Sequence, residues 1–431
     1  MALGGGKFLT QNKALPGAYI NFVSASRAAA ELSDRGIAAM AFDLDWGAAG
    51  EVMEVATEDF QKDSVKLFGY DFGHEKLKGL RDLFRNIRLL YAYRLNTGGA
   101  KAGNTYATAK YAGTRGNDLK LVIQKNVDDP AAFDVATYLG TVLVDKQTVK
   151  TAAELKANSY VDFKGAELQV TAAAPLSGGS NGTVNVAAHQ AFLDKIEAYG
   201  FHALGYAGDN VQIAGLYAAF TKRLRDEVGA KFQTVLYNTK ADYEGVINVK
   251  NQCTGTEAGL VYWVTGIIAG CPVNKSNSNK KYDGEHEVIA DFTQKALTEA
   301  VKAGEFTLHK VGKEVRVLED VNSLITLTEE KGEDFQNNQV IRVLDQIAND
   351  IAALFATKYN GNIQNDKAGR VSLWSDIVKH HERLQEMGAI KNFTDKDVEV
   401  SAGESKKAVA VVDRVTVTAA MTQLYMIVQV A

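Results

Sequence analysis

The stretch 189–269 alternates helical and strand-like patterns, and this alternation constrains the fold more than any other feature of the chain. Apolar residues at helical spacing fill 189–199, and a strand-like run covers 201–206 before Asp209 or Asn210 begins a second helix. Two more strand-like runs and an apolar helix follow. Such alternation of strands and helices predicts a three-layer α/β core.

Residues 96–183 have a different character. Glycine-rich breaks at 97–103, 113–118 and 177–182 separate short strand-like runs. Short strands with frequent turn signals predict a small β-sandwich or barrel, and the change of pattern on both sides indicates a domain inserted into the core. The two outer glycine-rich breaks are expected to bring the ends of the insertion together.

The sequence as a whole predicts an α+β multidomain protein with extended terminal strand arms. A long amphipathic helix from Asn338 to about Lys358 is expected to close the core segment, and a further helix is expected over 373–388. The predicted segments are an N-terminal strand arm (1–26), a three-layer α/β core (27–95 with 184–359), an inserted β domain (96–183), a C-terminal α+β domain (360–414) and a C-terminal strand arm (415–431).

The overall composition excludes several classes of protein. The 431 residues carry 48 basic and 52 acidic side chains, a formal net charge of −4, whereas bulk binding of nucleic acid needs a basic excess or stripe. No apolar run reaches the ~18 residues of a membrane-spanning helix. Two cysteines, Cys253 and Cys271, cannot form a disulfide framework, which favours synthesis in a reducing cytosol. We therefore expect neither nucleic-acid binding nor membrane insertion.

Patterns that could bind phosphate or transfer protons are weak. The glycine-rich stretches 113–118 and 178–182 lie among strand-like runs and lack the lysine-containing pattern of a phosphate-binding loop, so β-turns are the better interpretation. Asp43 and Asp45 lie two residues apart and could bind a metal or act in acid–base chemistry. The Trp-Gly pair that follows them indicates a turn or cap instead.

The histidines and cysteines show no metal-site spacing. His380 and His381 are neighbours in a predicted helix, where side chains point about 100° apart, whereas helical zinc pairs are spaced i, i+4. A solvated or interface face is the better interpretation of this pair. Cys253 and Cys271 are expected to be small buried thiols. We therefore predict no catalytic residue, no cofactor and no metal.

The C-terminal run Leu424–Val430 is proline-free, nearly all apolar and uncharged. Exposed as a sheet edge it would aggregate, so it must be paired. It could pair with a sheet of its own chain or be donated to another subunit. A short strand candidate near the N-terminus, beyond a glycine tract, favours strand donation. The residues predicted to form inter-subunit strands are Tyr19, Ile20, Phe22, Leu424, Tyr425, Met426, Ile427 and Val428.

Short motifs along nearly the whole chain carry a resemblance to one known family. They include Pro16–Phe22, Leu44–Gly47, Tyr111–Leu119, Ala241–Ile247, Trp263–Asn274, Asp320–Leu324, Arg342–Ile351 and Leu424–Met426. Each motif is weak alone, and their order is what makes the set specific. The chain resembles the tail sheath proteins of contractile phage tails, in particular the compact sheaths of defective prophages and of phage-tail-like bacteriocins of Gram-positive bacteria.

The resemblance implies a structural role rather than an enzymatic one. Sheath subunits stack as six-fold rings into a helical homopolymer around an inner tail tube protein, and terminal arms exchange strands between neighbours. Baseplate and tail terminator proteins are the other implied partners. The sleeve contracts without consuming nucleotide and drives the tube through a bacterial envelope. Assembly is implied in the bacterial host cytoplasm, with the product a virion tail or a released tail-like particle.

A sleeve must hold its tube before contraction and release it afterwards, which suits electrostatic contacts better than apolar burial. The predicted helix 374–387 carries apolar residues that can face a core and basic residues on another face. The residues predicted to face the tube are Lys379, His380, Arg383 and Lys391. A solvated basic face is the alternative interpretation of the same pattern.

The alternative function is that of an enzyme, an α/β protein that binds a nucleotide or a sugar phosphate. The helix–strand alternation after His189 and the glycine-rich stretches support it. The missing phosphate-binding motif and the missing pair of nucleophile and base argue against it.

Overall fold

The computed structural model describes residues 32–430, and the predicted arm residues Tyr19, Ile20 and Phe22 lie outside them. The α-helices of the described chain are α1 (Thr57–Phe68), α2 (Lys78–Phe84), α3 (Val186–Ile196), α4 (Val211–Arg223), α5 (Leu260–Gly270), α6 (Gln294–Lys302), α7 (Asn338–Leu354) and α8 (Lys367–Glu386). None of the helices within 32–430 is both long enough and apolar enough to cross a membrane.

The β-strands of the described chain are short and numerous. They are β1 (Ile37–Phe42), β2 (Val52–Ala56), β3 (Leu89–Arg94), β4 (Ala107–Ala109), β5 (Leu119–Lys125), β6 (Phe133–Leu139), β7 (Val142–Val149), β8 (Val161–Phe163), β9 (Thr171–Pro175), β10 (Ala203–Tyr206), β11 (Gln233–Tyr237), β12 (Val246–Val249), β13 (Glu305–Phe306), β14 (Leu308–Val311), β15 (Glu314–Val317), β16 (Ile390–Lys391), β17 (Val398–Ala402), β18 (Val409–Asp413) and β19 (Thr416–Val417). Together with the helices they form a mixed α+β architecture of several sheets.

The largest sheet has seven strands in the order β13-β12-β11-β10-β1-β3-β2. Its neighbouring strands run parallel, except that β2 is antiparallel to β3. Every residue of β10, β11 and β12 is buried, as expected of parallel strands that are covered on both faces. The predicted alternation after residue 189 therefore supplies the strands on one side of β1.

Helices pack against both faces of this sheet. Met40 of β1 belongs to a buried cluster that includes Trp263 of α5, whereas the adjacent Ala39 belongs to a second cluster with Phe192 of α3 and Tyr217 of α4. Successive residues of a strand point to opposite faces, so the two clusters lie on opposite sides of the sheet.

Side-chain caps fix where the helices begin on the second face. Asn210 precedes α4, and its Oδ1 accepts hydrogen bonds from the backbone N–H groups of Gln212 (3.0 Å) and Ile213 (3.1 Å). Asn185 caps α3 in the same way through Ala188 (2.9 Å). These contacts satisfy N–H groups that have no partner within the helix.

Strands β4 to β9 lie between residues 107 and 175, and within the described chain they pair only among themselves. Four of them form an antiparallel sheet in the order β7-β6-β5-β9, and β4 pairs with β8. The main apolar cluster of this region includes Leu121 and Tyr160, and also Trp46, which comes from the loop after β1. The region therefore shares part of its core with the segment that precedes it.

The two glycine-rich joins of this region lie side by side. The backbones of Gly103 and Ser177 exchange hydrogen bonds of 2.8 and 3.1 Å. A Cβ added at Gly99 would lie 2.2 Å from the carbonyl oxygen of Ser180, and one added at Gly182 would lie 1.7 Å from that of Thr97. Only glycine permits backbones to approach this closely.

The described chain divides into two compact units. One contains residues 33–349, 384–392 and 416–430, and the other contains 350–383 and 393–415. The second unit differs from the segment 360–414 in its starting point and in its internal gap. It holds most of α8 and the antiparallel hairpin of β17 and β18.

Candidate assembly surfaces

The ten residues 421–430, called here the C-terminal segment, are all exposed. Leu424, Tyr425 and Ile427 expose 85%, 88% and 90% of their surface, and Met426 and Val428 expose 72% and 71%. The segment carries no charge. A contiguous exposed apolar stretch of this kind marks an interaction site.

The backbone of the C-terminal segment forms no hydrogen bond to any described residue. The last anchoring contacts lie just before it, where Thr418 N–H donates to the Ala389 carbonyl (2.9 Å) and Ala420 N–H donates to Gln339 Oε1 (3.0 Å). Strand β19 is held by antiparallel pairing with β16. The segment thus begins directly after the anchored residue Ala420, and its own N–H and C=O groups have no partner among the described residues.

The β17–β18 hairpin is a second surface with unpaired backbone groups. Among the described residues, each of its strands pairs only with the other, from Val398 opposite Asp413 to Ala402 opposite Val409. The side chain of Val412 is 48% exposed. Such a hairpin can accept a further strand on either outer edge.

The residues that were predicted to face the tube do not share one environment. Lys379 is exposed and Arg383 half-buried on α8, and Lys391 is exposed on β16 in the other compact unit. His380 is fully buried, with its Nε2 atom 3.0 Å from Asp350 Oδ2. The prediction of a solvated or interface position for His380 is therefore wrong, and His380 adds nothing to an exposed basic face.

His381 is buried as well, so the interpretation of the whole pair is corrected. Its Nδ1 lies 2.9 Å from the Ile377 carbonyl oxygen, and its Nε2 lies 2.9 Å from Asp413 Oδ2. The Nδ1 contact satisfies one ring nitrogen, whereas Nε2 approaches Asp413 without forming a hydrogen bond to a described residue. The partner carboxylates come from distant parts of the sequence, and no local pattern could have shown them.

Of the two carboxylates after β1, Asp45 belongs to a polar cluster. Asp45 Oδ2 accepts hydrogen bonds from Tyr70 Oη (2.6 Å) and Lys76 Nζ (2.5 Å) at a cavity of about 350 Å³ that Asp43 also lines. Burial and the bond to Asp45 raise the pKa of Tyr70. Within residues 32–430, no group of three or more His, Cys, Asp or Glu side chains is arranged to hold a metal ion.

The glycine-rich stretches and the cysteines have structural positions. Residues 114–118 form a 3₁₀ turn that leads into β5, and 178–182 pack against the join at 97–103. Neither connects a parallel strand directly to a helix N-terminus, as a phosphate-binding loop does. Both thiols are buried, and burial raises the pKa of Cys253 to about 11, which keeps it protonated and unreactive.

One buried polar cluster was missed by the sequence analysis. The buried Asp82 accepts hydrogen bonds from the Glu285 N–H (2.7 Å) and Tyr282 Oη (3.1 Å), and its Oδ2 lies 2.9 Å from His286 Nδ1. Burial raises the pKa of Asp82, but the contacts with His286 and Glu285 outweigh it and lower the pKa overall. The cluster fastens the 282–286 loop to α2. Asp82 and His286 are 204 residues apart, so spacing gave no signal.

Comparison with protein families covers most of the chain. Models of four phage tail sheath regions match in chain order: domain III N-terminal region of tail sheath protein Gp18 (35–95), the β-sandwich domain (96–181), the central domain (182–323) and the C-terminal domain (330–431). The match to the β-sandwich model covers the segment that contains β4 to β9.

Individual proteins agree with the family models. The chain is 33% identical to the phage-like element PBSX protein XkdK of Bacillus subtilis, over 94% of this chain and 95% of that protein. A sheath tail protein of Desulfitobacterium hafniense superposes with a TM-score of 0.79 at 37% identity, over 90% of this chain and 93% of that chain.

A more distant structure has the same fold. The contracted helical sheath of the anti-feeding prophage superposes with a TM-score of 0.56 at 13% identity, over 97% of this chain and 99% of that chain. The matches in sequence and structure confirm the resemblance seen in the motifs, and the chain belongs to the phage tail sheath protein family.

Proposed function

We propose that the protein is the structural subunit of a contractile tail sheath. Copies polymerise as stacked hexameric rings around an inner tube, and the sleeve contracts to drive the tube through a bacterial envelope. The observation that carries the proposal is the C-terminal segment, which is apolar, uncharged and exposed in the single chain. A soluble chain keeps such a segment only where assembly covers it.

Strand exchange is the proposed link between subunits. The exchanged strands are Tyr19, Ile20 and Phe22 of one arm and residues 424–428 of the other. The outer edges of the β17–β18 hairpin, which pair with no other strand of the described chain, receive them. Burying one large apolar side chain contributes about 1.5–3 kcal/mol, so each junction gains several kcal/mol before ordering costs are subtracted. The same junction repeats at every subunit of the proposed polymer.

We propose the finer architecture that the sequence predicts. Residues 27–95 with 184–359 form a three-layer α/β core, and 96–183 form a small β-sandwich that faces outward from the sleeve. The adjacent joins at Gly103 and Ser177 support an insertion whose two ends meet. The C-terminal part carries the contacts between rings and to the tube.

The role is structural and needs no cofactor. Asp45 is engaged by Tyr70 and Lys76, and both thiols are buried, which supports a chain without a catalytic centre. Assembly takes place in the host cytoplasm, and the product is a virion tail or a released tail-like particle. Baseplate and tail terminator proteins contact the two ends of the sleeve. A structural neighbour of this fold, at 13% identity, belongs to the baseplate structure of the anti-feeding prophage.

Electron microscopy of the purified full-length protein tests the central proposal. Hollow sleeves or six-fold rings are expected at micromolar concentration, because the exposed segments of neighbouring copies cover one another. Monodisperse particles of single-chain size at every concentration would contradict the proposal. Bound nucleotide in such particles would favour the alternative, an α/β enzyme.

The proposed contact with the inner tube uses Lys379 and Arg383 of α8, together with Lys391. The double variant Lys379→Glu, Arg383→Glu tests it when the sheath and tube proteins are produced together. Each exposed ion pair contributes only about 0–1 kcal/mol, but the contact repeats along the sleeve. We expect empty sleeves, or sleeves that contract without a trigger.

A matched charge change on another helix controls for net charge. The variant Lys62→Glu, Lys66→Glu alters two exposed lysines of α1 and should leave the tube in place. Extended sleeves that hold a normal tube in the α8 variant at low salt, where exposed charges are least screened, would rule out this surface. Thermal unfolding of each variant checks that α8 still folds.

A further inference from the structure

One groove lies entirely within the compact unit formed by residues 350–383 and 393–415. It has a volume of about 340 Å³ and lies between the end of α7, the start of α8 and the turn that joins β17 to β18. Phe355 and Ile363 offer apolar surface there and are 39% and 44% exposed. Arg370, Lys406 and Lys407 also line it, and no carboxylate among residues 32–430 does.

The groove is held in shape by its own hydrogen bonds. Asn365 Nδ2 donates to the carbonyl oxygens of Ala408 (2.7 Å) and Lys406 (3.1 Å), which fixes the turn beside the α8 start. Arg370 Nη1 donates to Asn365 Oδ1 (2.9 Å). None of the three cations has an ion-pair partner among residues 32–430. The groove is therefore preformed, partly apolar and positively charged.

A loop of the other compact unit has the opposite character. Its four carboxylates, which are exposed and lack ion-pair partners within the described chain, are Glu329, Glu330, Glu333 and Asp334. The one lysine among them, Lys331, is drawn away to Glu244 at 2.6 Å. Ile325 and Leu327 precede them and are 48% and 42% exposed. Residues 325–334 thus combine apolar and acidic surface, as the groove combines apolar and basic surface.

This loop is also ordered before any contact is made. Asp242 Oδ1 accepts hydrogen bonds from the N–H groups of Ile325 (2.7 Å) and Thr326 (2.8 Å). Thr328 N–H donates to the Lys331 carbonyl (3.0 Å), and Lys331 N–H donates back to Thr328 Oγ1 (3.1 Å). A preformed loop that meets a preformed groove loses little conformational entropy on binding.

We propose that the acidic loop 325–334 of one copy docks into the basic groove of a second copy. The inference rests on the proposed homopolymer and adds a contact that is separate from the terminal strands. Two different patches that meet head to tail form a heterologous interface, and repetition of such an interface generates rings or helices. Complementary charge selects the register between copies, and the apolar residues contribute burial.

Reciprocal charge reversal of the full-length protein tests this contact. The groove variant is Lys406→Glu, Lys407→Glu, the loop variant is Glu329→Lys, Glu330→Lys, and a third variant combines all four changes. The concentration needed for sleeve formation is measured by sedimentation at low salt. We expect it to rise about tenfold in each two-residue variant and to return to within about threefold of the wild-type value in the combined variant.

The control variant Lys150→Glu, Lys156→Glu makes the same change in net charge as the groove variant, in the 96–183 region. It should leave the sleeve concentration unchanged. Sleeves formed normally by both two-residue variants, or a combined variant no better than either, would overturn the docking contact alone. Failure of the wild-type protein to form sleeves would overturn the homopolymer and the docking contact together.

Discussion

The central strands and the C-terminal segment are both proline-free apolar runs, yet they lie in opposite environments. Every residue of β10 and β11 is buried, whereas every residue of 421–430 is exposed. The central strands have strand neighbours on both sides and helices on both faces within the same chain. Within residues 32–430, the C-terminal segment has neither strand neighbours nor covering helices. An apolar sequence thus indicates that a segment will be buried. The topology determines whether its own chain or another copy covers it.

Deletion of residues 420–431 is expected to have the largest effect on assembly. It tests whether the exposed segment links subunits without stabilising its own chain. We expect a folded, soluble protein with an unfolding midpoint close to that of the full chain and no sleeves. Within the described chain, the deletion removes one anchoring hydrogen bond, from Ala420 N–H to Gln339 Oε1, and otherwise only exposed residues that are proposed to link the chain to its neighbours. Electron microscopy measures assembly, and denaturant unfolding measures stability. Sleeves of normal length from this variant would show that the exposed segment is not the link.

Trp46 shows where the interior continues across the join to the inserted region. It is fully buried, its Nε1 donates to the Lys66 carbonyl (3.0 Å), and it packs against Tyr111 and Tyr160. Trp46→Ala should lower the free energy of unfolding by about 3–5 kcal/mol. A loss below about 1 kcal/mol, measured by denaturant unfolding, would mean that the two regions are packed independently.

Deletion of 96–183 tests whether the core folds without the region that packs on Trp46. The central sheet receives no strand from this region, so the remaining core should still fold. The deletion exposes Trp46, however, and removes the Ala112 carbonyl that accepts a hydrogen bond from the buried Arg94 (2.7 Å). We therefore expect the deletion to aggregate unless Trp46 is also changed to Ser. Circular dichroism and gel filtration of both forms distinguish these outcomes.

A buried and an exposed leucine allow the two environments to be compared with the same substitution. Leu204 on β10 is 0% exposed and Leu424 is 85% exposed, so the same substitution removes the same atoms from opposite environments. Leu204→Ala should cost about 2–5 kcal/mol of unfolding free energy, and Leu424→Ala should change it by less than about 0.5 kcal/mol. In the sedimentation assay the order should reverse, with Leu424→Ala the more harmful at temperatures where both chains are folded. Equal effects of the two substitutions in both assays would contradict the inference that Leu204 stabilises the fold and Leu424 the assembly.

The sequence predicts the features that depend on neighbouring residues and misses those that depend on distant ones. The alternation after residue 189 predicts the buried strands because hydrophobic periodicity is a local signal, and Asn210 is recognisable as a cap. The burial of His380 could not be predicted, because its partner Asp350 lies 30 residues away. The Asp82–His286 contact spans 204 residues and leaves no local pattern. Composition and spacing do not reveal contacts between residues that are distant in sequence or that lie in different chains.

The burial of His189 in the core can be tested through the pH dependence of the unfolding free energy. It is 3% exposed on α3, and its Nδ1 lies 3.0 Å from Tyr217 Oη. Burial lowers the pKa of His189 from 6.5 to about 4. As pH falls below 6.5, the unfolded chain binds a proton that the folded chain does not, so stability present above that pH is progressively lost until about pH 4.

Linkage gives the expected size of this loss, about 2 kcal/mol between pH 7.5 and pH 5. The measurement is denaturant unfolding of wild type and His189→Phe at both pH values. The phenyl ring keeps the apolar packing but loses the hydrogen bond to Tyr217, which shifts stability by the same amount at each pH. The difference in pH dependence between the two proteins therefore isolates His189 from the other histidines. Parallel pH profiles would show that His189 is protonated as readily in the folded interior as in the unfolded chain.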